Sequence, residues 1–74
     1  MGEMRIIDRS GDAVLKWEPD DKEAVTNAEN RFNELVVRGD HTAFEIMPGG
    51  KSKKIEKFDA GVGKVTVIPR LAGG

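Results

Sequence analysis

The sequence predicts an α+β fold in which one amphipathic helix lies on one face of a mixed four- to five-stranded sheet. Three observations predict it. β-branched runs bounded by turn residues occur toward both ends, one long segment between them has helical periodicity, and 74 residues leave room for a single core. A chain near this size buries only about 60% of the surface its unfolded form exposes. Hydrophobic residues make up 38% and charged residues 34%, which is enough apolar material for one sheet-plus-helix core and too much for a disordered segment.

Met4 to Asp8 and Ala13 to Trp17 are short apolar and β-branched runs separated by Arg9-Ser10-Gly11-Asp12, and they predict a β-hairpin. Pro19 breaks the pattern. Asp20 followed by Glu23 reads as a capping box that satisfies free N–H groups at a helix start. Ala24, Val25, Ala28, Phe32, Leu35 and Val36 then recur at three-to-four-residue spacing with polar residues between them. Arg38 suits the negative end of the helix dipole, and Gly39 is expected to end the helix in the left-handed conformation. His41 to Met47 alternates, with Thr42, Phe44 and Ile46 on one side, and Pro48-Gly49-Gly50 closes it with a turn. Lys53 to Phe58 fits either a short edge strand or a turn of helix. After the loop Asp59 to Gly63, Lys64-Val65-Thr66-Val67-Ile68 predicts a last strand stopped by Pro69. The expected division is a domain over 1–68 and a flexible tail over 69–74.

The formal net charge is −1, with both signs interspersed, so no overall field draws the chain to nucleic acid or an anionic membrane. Cysteine is absent, which removes disulfides, thiolate metal sites and cysteine nucleophiles together. No apolar stretch is long enough for a signal peptide or a membrane span, and a cytoplasmic monomer is expected. Gly2 after Met1 is a poor myristoylation site, because Ile6 stands where Ser or Thr is required.

The order strand, strand, helix, strand, weak strand, strand matches the β-grasp (ubiquitin-like) arrangement. The segment Gly61-Val62-Gly63-Lys64-Val65-Thr66-Val67-Ile68-Pro69-Arg70-Leu71-Ala72-Gly73-Gly74 resembles the end of the small subunit of molybdopterin synthase and related sulfur carriers. In that family a Gly-containing turn, a β-branched strand, a proline and a terminal Gly-Gly follow in this order. Arg70-Leu71 departs from it, standing where many sulfur carriers have a second proline, and is closer to the tail of ubiquitin. The close resemblance covers about the last fifth of the chain.

The resemblance implies a modifier or carrier whose Gly74 carboxylate is adenylated by a separate activating enzyme. ATP and any metal would belong to that partner, and this chain would carry no cofactor and catalyse nothing. A conjugating enzyme, an isopeptidase or a sulfur-accepting enzyme would follow. Gly74 is the implied point of covalent attachment, with Gly73, Ala72, Leu71 and Arg70 read by the partner. Two glycines suit entry into a narrow channel because a backbone without side chains adopts angles other residues avoid. Pro69 would end sheet pairing and stiffen the exit, Leu71 would be an exposed anchor, and Arg70 would offer a planar donor fork to a carboxylate.

The other features have plainer readings. Lys51, Lys53, Lys54 and Lys57 form a basic cluster read as a solvated edge that resists aggregation, with docking or acceptor lysines as competing readings. His41 has no Cys, His or paired carboxylate at ligand spacing and is read as a strand-start residue. Trp17 is read as packing inside the domain or at its edge in preference to anchoring a partner. Ser10 and Ser52 lack a base, and Gly49-Gly50-Lys51-Ser52 lacks the spacing of a phosphate loop. A second function class is therefore a non-catalytic β-grasp interaction module or the small subunit of a larger complex.

Overall fold

The structure, a computed structural model, describes residues 1–8 and 11–70. β1 (Gly2–Asp8) and β2 (Gly11–Trp17) form the expected antiparallel hairpin, each two residues longer than the alternation predicts. Their register runs from Gly2 opposite Trp17 to Asp8 opposite Gly11. Gly11 and Asp12 thus belong to the strand, and Arg9 and Ser10 of the expected reversal lie outside the described residues.

α1 (Lys22–Phe32) is capped by Asp21, whose side chain accepts from the Ala24 N–H at 3.2 Å. The capping box expected on Asp20 and Glu23 is not formed. Asp20 lies inside a turn closed by the Asp21 N–H donating to the Glu18 carbonyl at 2.9 Å, so the first residue able to reach back over the helix is Asp21. Such a cap contributes about 1 kcal/mol. Beyond Phe32 the winding loosens into one π-helical turn, Asn33–Val37, closed by the Arg38 N–H on the Asn33 carbonyl at 2.9 Å.

Gly39 does not take the left-handed conformation expected of it; among the described residues, positive φ occurs at Gly11, Gly49 and Gly50. Its lack of a side chain serves close approach instead. A Cβ there would stand 2.6 Å from the Leu35 carbonyl oxygen and 2.7 Å from that of Glu34, and backbone oxygens in a helix end have little room to retreat.

β3 (His41–Ile46) and β4 (Ser52–Ile55) are antiparallel partners joined by a tight turn over Pro48–Gly50, with Gly49 at φ 87° and Gly50 at φ 85°. The segment left open between strand and helix is thus an edge strand, in register from Ala43 opposite Ile55 to Ile46 opposite Ser52. β5 (Lys64–Pro69) completes a five-stranded sheet of order β2-β1-β5-β3-β4. It runs parallel to β1 and antiparallel to β3, so the sheet is mixed and the last strand sits at its centre.

One face of the sheet and one face of α1 close the core. Met4, Phe32, Ala43, Val65 and Val67 are fully buried, joined by Ile6, Trp17, Ala28 and Val62. Thr42, Phe44 and Ile46 share a side as expected, but it is the side away from the helix; small Ala43 faces inward opposite Val67. Trp17 is inside, as its plainer reading holds. Its ring lies 5.2 Å from that of Phe58, which lies 5.9 Å from Phe32, and its Nε1–H donates to the Ala60 carbonyl at 3.1 Å. Aromatic pairs of this kind add about 0.5–1.5 kcal/mol each beyond their buried area. Among the described residues no helix is long and apolar enough to cross a membrane.

Candidate functional site at the root of the tail

The central position of β5 decides where Arg70, the last described residue, lies. Pro69 does not end pairing as its sequence position suggests. It is the last residue of β5, opposite His41, and the Arg70 N–H beyond it still donates to the Asp40 carbonyl at 2.7 Å. Proline tolerates this place because a strand end does not require its missing donor. Of the residues expected to be read by a partner, Arg70 is placed here; Leu71, Ala72, Gly73 and Gly74, including the attachment point, lie outside the described residues.

β3 and β4 pair only as far as Ala43 and Ile55. Past that point Glu56 and Lys57 turn away while His41 and Thr42 continue beside β5, which leaves a gap at this end of the sheet. A cavity of about 330 Å³ fills it, lined by Val36 and Val37 of the π-helical turn, His41 and Thr42 of β3, Lys54 to Lys57, and Arg70. Lys54, Lys57 and Arg70 thus share the lining with Glu56 and with Val36, Val37 and Ile55. On the other side of Lys54 to Lys57 an open groove of about 620 Å³ is lined by Glu45, Lys53, Phe58, Asp59 and Val62.

His41 is the unusual member. It is 8% exposed, the one buried polar side chain among the described residues. Nδ1 lies 3.2 Å from Oδ1 of Asp40, which is itself 88% exposed, and among the described residues neither ring nitrogen forms a hydrogen bond. Closing a polar atom away from water without a partner costs about 1–3 kcal/mol. Strand alternation explains its burial, since His41 shares the inward side with Ala43, yet nothing in its immediate sequence announces that no partner waits there.

The sequence reading missed this assembly because its members are contributed by four separate segments. The local signals available were Val36-Val37 at a helix end and a histidine opening a strand whose inward residue is alanine. Among the described residues no cluster of His, Asp or Glu is placed to hold a metal ion. No protein-family model matches the chain, and neither a curated protein nor a solved structure matches it.

Proposed function

We propose that the chain is a β-grasp protein of the ubiquitin and sulfur-carrier type, activated at its Gly74 carboxylate by a separate ATP-dependent enzyme. The observation that carries this reading is the placement of β5: the strand that leads into Pro69-Arg70-Leu71-Ala72-Gly73-Gly74 is central in the sheet and is followed at once by the diglycine segment. The strand order β2-β1-β5-β3-β4 with one helix on one face supports the β-grasp assignment.

A carboxylate at neutral pH is a poor electrophile, so the chemistry needs a leaving group. A terminal carboxylate oxygen attacks the α-phosphorus of ATP, the bond to the β-phosphate oxygen breaks, and pyrophosphate departs. A sulfur nucleophile then attacks the acyl carbon of the adenylate and AMP leaves. The product is a thioester with an enzyme cysteine, which an amine later converts to an isopeptide, or a thiocarboxylate. Arg70 is held at its backbone by the bond to Asp40, so its guanidinium starts from a fixed point when it meets an acidic group on the activating enzyme.

Intact mass after incubation with the cognate activating enzyme, ATP and either sulfide or an amine acceptor tests the reading. A covalent mass shift that disappears when Gly73-Gly74 is deleted is expected; no shift, or one that survives the deletion, refutes it. One observation favours the second reading, a non-catalytic interaction module or small subunit of a complex. Phe44, Ile46 and Ile68 are half-buried on the sheet face that α1 leaves uncovered, with Ile7 and Val14 exposed on the same face. Full biological activity of a chain truncated at Leu71 would establish that reading in its place.

A further inference from the structure

We propose that the cavity between the π-helical turn, the start of β3 and Arg70 binds a small organic anion, a carboxylate on a short apolar body. The site does not rest on activation of Gly74. Its volume of about 330 Å³ falls at the small end of ligand cavities, which run from about 300 to 1,000 Å³. Its chemistry is divided. Half-buried Val36 and Ile55 and the exposed Val37 give its apolar part, while Lys54, Lys57 and Arg70 outnumber Glu56.

The apolar part favours a ligand with a hydrocarbon chain, which inorganic phosphate lacks. The Arg70 fork can hold both oxygens of a carboxylate at once. His41 lines the same cavity, and among the described residues neither of its buried ring nitrogens forms a hydrogen bond, Nδ1 having only the exposed Asp40 carboxylate at 3.2 Å. The cavity wall also contains the π-helical turn, a winding that is rare in helices and recurs at functional sites.

Titration of the full chain with sodium hexanoate, followed by amide and imidazole NMR shifts, tests the proposal. Saturable shifts at Val36, Val37, His41, Thr42, Lys57 and Arg70 are expected. Arg70→Ala and Lys57→Ala should each weaken binding by at least about tenfold, as loss of a charged hydrogen-bond partner predicts. Lys53→Ala should leave it little changed, because Lys53 lines only the neighbouring groove. Four results would overturn the site: no saturation by roughly 10 mM, equal binding of hexan-1-ol, equal binding of inorganic phosphate, or a Lys53→Ala loss as large as that of Arg70→Ala.

Discussion

The two flanks of the sheet are built to different standards. On the β2 side, seven residues of β1 face seven of β2 without interruption, and Trp17 seals the end with its ring tilted against Phe58 and its indole N–H donating to the Ala60 carbonyl. On the β4 side the ladder spans four pairs and then opens, with cavities on both sides of Lys54 to Lys57. One flank spends its residues on closure; the other leaves polar and cationic groups around unfilled space. Uninterrupted pairing is therefore concentrated at the hairpin, and unfilled space at the end where the ladder stops.

Hydrogen exchange is the broadest way to break that contrast. Amides of β1, paired on both sides, should exchange only through global opening, which in small domains costs about 5 kcal/mol or more. Those of β4 should exchange through local opening at a free energy well below it, and equal protection of the two strands would dissolve the comparison. Trp17→Ala should lower the unfolding free energy in urea by about 3–5 kcal/mol, through a large cavity and the lost indole hydrogen bond. Gly39→Ala should cost about 1–3 kcal/mol in the same measurement, because its methyl meets backbone oxygens that cannot turn aside. A change within a few tenths would show that the helix end gives way. The smallest effect belongs to the open flank. His41→Leu should be neutral or slightly stabilising, since it removes two buried nitrogens that form no hydrogen bond among the described residues, and a loss comparable to that of Trp17→Ala would mean the imidazole is bonded after all.

How much of this could be read in advance depends on the range of the interaction responsible. The hairpin, α1 and β5 were legible because Met4 with Ile6, Ala28 with Phe32, and Val65 with Val67 each repeat the period of their own element. Where two neighbours could serve equally, pattern chose the wrong one: the box expected on Asp20 gives way to a cap by Asp21, because the turn from Glu18 encloses Asp20. β4 was ambiguous because one inward residue, Ile55, among lysines carries no period. The π-helical turn has no local signature that distinguishes it from ordinary helix. Arg70 was reached through the tail resemblance, whereas its relation to His41, Val36 and Lys57 is set by β5 lying beside β3, a fact of the assembled sheet.

The parallel pairing of β1 with β5, in register from Glu3 with Lys64 to Ile6 with Val67, also fixes how the domain carries load. Strands that run the same way send the two chain ends out at opposite ends of the ladder. Tension between the amino terminus and anything joined to the carboxyl end therefore acts along these strands, across bonds that are evenly spaced. They must yield together under shear, whereas a hairpin pulled at its open end would unzip one bond at a time.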